Sequence, residues 1–131
     1  INLVAMMIGT KMGVDFMRAR ESSGVIINTS STAAFGPLPK DPAYAATKRG
    51  ILAYSESCAP LKDQFGIRVV ALCPAVTDTP IVAKDAEWLK PILQNIRLLR
   101  PEEIADQVQN IITDESLNGE AVVVNNERIT A

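Results

Sequence analysis

Tyr44 and Lys48 stand four residues apart, and the hydroxyl pair Ser30-Ser31 precedes them at the end of an apolar run. A phenol alone is a poor proton donor or acceptor near neutrality, because its ordinary pKa is about 10. Residues four apart on a helix share one face, so an ammonium at Lys48 is placed to lower the phenol's pKa electrostatically. A serine brought against that phenol would hold a carbonyl or hydroxyl oxygen beside it. Together these groups can move a proton on and off an alcohol oxygen. The chain has no histidine, which excludes Ser-His-Asp and Cys-His catalysis. With only two cysteines, Cys58 and Cys73, no metal site is expected.

The elements that must position these groups read as an α/β pattern. Residues 1–20 suit a helix with Leu3, Met7, Val14 and Met17 on one side and Lys11, Arg18 and Arg20 elsewhere. Val25-Ile26-Ile27 is a short run without alternation, as in a strand covered on both faces, ending near Asn28-Thr29-Ser30. Residues 32–42 form a loop marked by Gly36, Pro37, Pro39 and Pro42. A helix follows from Ala43 to Phe65, with a kink at Pro60 and a stop at Gly66. Ile67 to Cys73 is the second buried strand, ended by Pro74, and Thr77 to Pro80 is a polar loop.

Residues 81–99 are expected to hold one or two helices, with Trp88 and the leucines as an apolar face that is either core or a lid over substrate. Pro101, with Glu102 and Glu103 behind it, opens an amphipathic helix to Thr113. Asn118-Gly119 is a turn, Ala121 to Val124 a third strand, and the tail after Asn125 is polar and irregular. Strands separated by helices imply a parallel sheet with helices on both faces, which binds ligands beyond the carboxyl ends of its strands. Ser30, Ser31, Thr77 and Thr79 all follow strand ends, so one site can collect them.

At 131 residues the chain is long enough for one domain with a real core, and its 47% hydrophobic and 21% charged content is that of a globular protein. A net charge of -2 without any basic block argues against nucleic acid or an anionic membrane as partner. The run Leu3 to Ile8 is too short to cross a bilayer. The two cysteines lie among apolar neighbours and read as free thiols in a reducing compartment, hence the cytoplasm.

These residues carry a resemblance. Tyr44-Ala45-Ala46-Thr47-Lys48 resembles the Tyr-x-x-x-Lys motif of the short-chain dehydrogenase/reductases, and Asn28-Thr29-Ser30-Ser31 their Asn-x-Ser-Ser strand end. The separation of Ser31 from Tyr44 fits the compact branch. Asn2-Leu3 resembles the opening of the preceding helix, Pro74 to Thr79 the Pro-Gly-x-Val-x-Thr loop, and Leu117-Asn118-Gly119-Glu120 the approach to the last strand. Ile1-Asn2-Leu3-Val4 and the late Leu-Asn-Gly resemble, more faintly, the hydroxyprostaglandin-dehydrogenase-like branch.

The resemblance covers essentially the whole chain but only the C-terminal half of the family's domain. It implies that residues 1–131 are the C-terminal part of a Rossmann-like, doubly wound parallel sheet, without the glycine-rich phosphate loop that lies upstream in the family. It implies an NAD- or NADP-dependent oxidoreductase that interconverts a secondary alcohol and a ketone. In that reading Tyr44 is the general acid/base, Lys48 lowers its pKa and holds the nicotinamide ribose, Ser31 positions the substrate oxygen, and Asn2 joins a proton relay through water. Thr77 and Thr79 touch the cofactor or, alternatively, cap the next helix. Asp41 is either a solvated loop carboxylate or faces the substrate. Ser30 is given a turn or cap role. The helices at 1–20 and 43–65 are expected to make a homo-oligomer interface. Departures from the pattern are Ala34, Ala75, Thr77 and Asn126-Glu127, the last in place of a usual Gly-Gly. The rival reading is a truncated, catalytically inactive chain, or a non-enzymatic interaction partner, that cannot hold the cofactor alone.

Overall fold

The structure, a computed structural model, describes residues 2–129. Ile1, part of the expected first helix and of the Ile1-Asn2-Leu3-Val4 resemblance, and the tail residues Thr130 and Ala131 lie outside the described residues. The chain runs α1 (Asn2–Ala19), β1 (Gly24–Thr29), a 3-10 turn (Thr32–Phe35), α2 (Pro42–Ser57), α3 (Leu61–Phe65) and β2 (Ile67–Pro74). It continues with α4 (Lys90–Leu93), β3 (Ile96–Arg97), α5 (Pro101–Thr113), β4 (Ala121–Val124) and β5 (Glu127–Arg128).

The unalternating run Ile67 to Cys73 is buried along its whole length because β2 is the central strand of a parallel sheet ordered β1-β2-β4. Its two faces differ. Val70 and Leu72 pack with Val25, Ile27 and Val122 against Ile104, Val108 and Ile111 of α5. Ala71 and Cys73 pack with Ala34, Ala121 and Leu52 of α2 on the other face. Small side chains there let α2 approach the sheet closely. Each fully buried aliphatic side chain contributes on the order of 1.5–3 kcal/mol. Arg68, also buried, donates to the carbonyls of Ile112, Asp114 and Leu117 and so satisfies the C-terminal end of α5.

Four expectations are corrected. The long helix at 43–65 is two: α2 ends at Ser57 and α3 starts at Leu61, because Pro60 lacks an N–H and its ring opposes a continuing helix. Within 81–99 only Lys90–Leu93 is helical; Pro91 stands in its first turn and opposes a longer helix through it, and Trp88 remains 47% exposed instead of joining an apolar face. Met7 is exposed, and Thr10 and Val14 are the buried residues of α1. The polar tail contains a strand, β5, which pairs antiparallel with β3 in a separate ribbon, Ile96 opposite Arg128 and Arg97 opposite Glu127.

Candidate active site

The site is assembled at the carboxyl end of the sheet by three elements that a chain of buried polar side chains locks together. Thr10 of α1 donates to the Asn28 Oδ1 of β1 at 3.1 Å, and the Asn28 Nδ2 donates to the Ser55 Oγ of α2 at 3.0 Å. Ser55 donates in turn to the Ile51 carbonyl at 2.8 Å. All three are buried, at 2%, 5% and 0% exposure. Polar groups out of water need such partners, so this chain fixes α1 and α2 against β1.

Two further contacts fasten α2 at the level of the lysine. Ser30, buried where β1 ends, takes a backbone bond to Leu72 through its N–H and donates its Oγ–H to the carbonyl of Lys48 at 2.7 Å. Lys48 Nζ donates back across the same gap to the Thr29 carbonyl at 3.0 Å. Arg49 adds a bond from Nε to the carbonyl of Ala34 at 2.8 Å. Ser30, read from the sequence as a turn or cap, thus holds the backbone of the lysine.

Tyr44 lies in the first turn of α2. Asp41 is the N-cap of that helix: its carboxylate accepts from the Tyr44 N–H at 2.9 Å, and Pro42 occupies the first helical position. Asp41 thus has a capping role beyond that of a solvated loop carboxylate. The Asp41-Pro42 pair is the sequence signal that identifies the cap. Lys48 comes round one turn later, its ammonium 5.6 Å from the centroid of the Tyr44 ring. Partial burial pushes the Lys48 ammonium below its ordinary range, with the Cys73 sulfur acting the other way. Burial in turn pushes the Cys73 thiol up, with the neighbouring Ser30 hydroxyl opposing it.

Ser31 follows directly on Ser30 and caps the 3-10 turn, its Oγ accepting from the Ala33 N–H at 3.1 Å. The hydroxyl proton is not used in that bond and is available to donate. Among the described residues no hydrogen bond joins Ser31 to Tyr44. Asn2 is exposed at the start of α1 and makes no side-chain hydrogen bond among the described residues. Leu3 beside it packs onto α2, where a Cβ added at Gly50 would meet it at 2.9 Å. The structure thus brings Tyr44, Lys48, Ser30 and the start of the 3-10 turn to one end of the sheet. It leaves Asn2, beside Leu3 on α1, without a side-chain bond to any of them among the described residues.

Thr77 and Thr79 lie on the loop after β2. Thr77 donates to the Ala75 carbonyl at 3.1 Å and forms a parallel bridge with Leu99. No helix follows directly, so neither threonine is a helix cap. Asp78, Thr79, Pro80, Val82, Lys84 and Asp85 line an open cleft of 440 Å³. Asn126, which no sequence signal singled out for a contact here, bonds to this loop through its side-chain amide. Asn28 was legible only as part of a motif; an amide in an otherwise aliphatic strand is the signal of a buried tie.

Comparison with known proteins gives this geometry a context. A family model described as short chain dehydrogenase matches residues 1–90. Over 135 aligned residues the chain is 33% identical to 15-hydroxyprostaglandin dehydrogenase (NAD+) of Mus musculus, covering 91% of this chain and 50% of that protein. It is 36% identical over 101 residues to ipsdienol dehydrogenase of Ips pini, covering 73% of this chain and 40% of that protein. A solved structure of 3-oxoacyl-(acyl-carrier protein) reductase from Brucella melitensis superposes with a TM-score of 0.81 at 30% identity, over 94% of this chain and 48% of that one. A 4-hydroxyisoleucine dehydrogenase complexed with NADH shares the fold, with a TM-score of 0.85 at 23% identity, over 95% of this chain and 54% of that one. The chain spans about half the length of the curated 15-hydroxyprostaglandin dehydrogenases it matches.

Proposed function

The chain belongs to the short-chain dehydrogenase family, and from that premise we propose that it carries the proton-transfer side of an NAD- or NADP-dependent oxidoreductase interconverting a secondary alcohol and a ketone. The observation that carries the reading is the shared face of α2, on which the Lys48 ammonium stands 5.6 Å from the Tyr44 ring while anchored to the end of β1 at Thr29. Tyr44 gives a proton to the carbonyl oxygen in reduction and takes it from the hydroxyl in oxidation. Lys48, one helical turn away on the same face and anchored at the Thr29 carbonyl, offers its ammonium to the ribose of the cofactor. Ser31, whose hydroxyl proton is uncommitted, donates to the substrate oxygen and holds it against the phenol. Asn2, exposed at the start of α1, supplies a polar station for a proton relay through water.

The donor set fits the ribose–nicotinamide end of such a cofactor. Lys48 offers an ammonium, Tyr44 a hydroxyl, and Thr77 and Thr79 hydroxyls on the loop beyond β2, all at the carboxyl end of a parallel sheet. When bound, the nicotinamide supplies the hydride. Among the described residues there is no glycine-rich turn between a strand and a helix to cradle a pyrophosphate. The proposed activity is therefore that of the protein in which such a loop accompanies these residues. The 131 residues alone are expected to bind NADH or NADPH weakly and to be catalytically inactive. With both cysteines unpaired, we place the protein in the reducing cytoplasm.

A homo-oligomer through the helices at 1–20 and 43–65 is part of the proposal. Val4, Ile8, Met12 and Phe16 recur every fourth residue along α1 and are all more than half exposed, a continuous apolar stripe on a helix that otherwise packs on α2. Sedimentation of a Met12→Glu variant is expected to show a smaller species than the unaltered protein; an unchanged size would count against this face.

The catalytic reading is tested in the full-length protein by Tyr44→Phe. Turnover is expected to fall by about 10²–10⁴-fold while the protein still binds cofactor. Near-normal turnover in that variant overturns the mechanism.

A further inference from the structure

Between the end of β2 and the start of α5 the chain leaves the sheet, passes through the cleft-lining residues and α4, and returns at β3. One side chain ties the two ends of this excursion together. Asn126, between β4 and β5, donates from Nδ2 to the Val76 carbonyl at 2.7 Å and to the Arg97 carbonyl at 3.0 Å. Its Oδ1 accepts from the Val76 N–H at 3.0 Å. A side-chain amide thus satisfies both backbone groups of Val76, as a neighbouring strand would.

Backbone bonds extend the clasp in both directions. Ala75 donates to Val124 at 2.8 Å, Leu99 donates to Val76 at 3.1 Å, and Asp78 donates to Leu99 at 2.8 Å. Leu99 is buried at 2% exposure. Arg97 is held in place by a two-bond contact to Glu103, both at 2.9 Å, and by Glu127 at 3.0 Å. The backbone on either side of Thr77 is therefore fixed by Val124 of β4, by Asn126 and by Leu99 on the approach to α5.

We propose that Asn126 is a positioning residue for the Thr77–Thr79 segment, holding its backbone in the ligand-ready arrangement before cofactor arrives. Binding then does not have to order the loop, a cost that otherwise weakens affinity. The proposal rests on reading Thr77 and Thr79 as cofactor contacts. Neither the hydroxyl chemistry at Tyr44 nor the sheet depends on Asn126, so its loss acts on cofactor affinity and leaves the chemical step alone.

Two variants of the full-length protein test this. Asn126→Asp keeps the acceptor for Val76 and loses both donors; Asn126→Gly loses all three bonds. The measurements are amide exchange at Val76, Asp78 and Leu99, titration with NADH and with NADPH, and kcat at saturating cofactor. Exchange at those three amides is expected to quicken while the β1–β2 amides keep their protection. Cofactor affinity is expected to weaken about tenfold in Asn126→Gly and less in Asn126→Asp. At saturating cofactor, kcat should stay within about twofold. Unchanged affinity despite faster exchange overturns the proposal, and so does an equal loss of protection in the β1–β2 amides, which would mark general destabilisation. If the unaltered protein binds neither nucleotide, the cofactor reading itself falls and takes this proposal with it.

Discussion

Two segments meet at the carboxyl end of the sheet, and they are fastened differently. The Tyr44 helix is tied to β1 and α1 by buried, uncharged groups: Thr10, Asn28 and Ser55 in one chain, Ser30 to the Lys48 carbonyl in a second contact. To these Lys48 adds a charged bond at the Thr29 carbonyl. The loop bearing Thr77 and Thr79 is tied from the solvent side, through Asn126 and a ribbon pinned by Arg97, Glu103 and Glu127, of which Glu127 is 73% exposed. Neutral bonds in the interior are costly to break and indifferent to pH and salt. Charged bonds at the surface contribute less and depend on both. The element proposed to hold the proton-transfer groups thus sits on the stiffer base, and the one proposed to receive the cofactor on the more adjustable base.

The largest expected effect comes from breaking the buried chain. Asn28→Leu removes the partner of the Thr10 hydroxyl and the donor to Ser55, leaving two polar side chains in the interior short of a bond. A loss of about 2–3 kcal/mol is expected from the unsatisfied groups, read as a lower urea midpoint at unchanged slope. The same variant should lower turnover by displacing α2 while leaving exchange at Leu99 close to normal. Equal loosening of sheet and ribbon would erase the distinction between the two bases.

The difference between the two bases also explains what could be read in advance. The sheet, its covering helices and the Tyr44–Lys48 spacing follow from local pattern: an unalternating buried run at Ile67–Cys73, a four-residue interval and an amphipathic helix after Pro101. These are signals within a few residues of each other. The ribbon is not of that kind. Its two strands are two residues each and lie far apart in the chain, so neither has a period to detect. The segment 81–99, rich in leucine and isoleucine, suggests helix, yet only Lys90–Leu93 forms one, and Pro91 in its first turn opposes a helix running back through it. Asn126 was noted only as a departure from glycine; its bonds to Val76 and Arg97 depend on a meeting of three distant segments. Ser30 and Ser31 show the reverse limit: Ser30 reads from the sequence as a turn or cap residue, yet Ser30 bonds the Lys48 carbonyl and Ser31 caps the 3-10 turn.

A smaller effect should separate the bases by charge alone. The Arg97 guanidinium, with the Arg100 N–H, holds the Glu103 carboxyl down to about 2, against an ordinary value of 4.5. Glu127 is lowered for the same reason. A carboxylate whose pKa is lower in the folded state contributes stability above its unfolded pKa and loses it as pH falls through the folded one. The ribbon should therefore loosen progressively below about pH 4.5 and be released near pH 2, while no titrating group enters the Thr10–Asn28–Ser55 chain. Protection factors for the Leu99 and Ile129 amides should fall across that window ahead of those of β1 and β2. Glu103→Gln should reproduce the loosening at neutral pH, since it removes the charge and one acceptor from the two-bond contact. Raised salt should move the Leu99 and Ile129 amides in the same direction by screening the exposed ion pairs. If Glu103→Gln at neutral pH leaves those amides as protected as before, the ribbon does not depend on its charges. The contrast between a neutral base and a charged one would then reduce to a difference of burial.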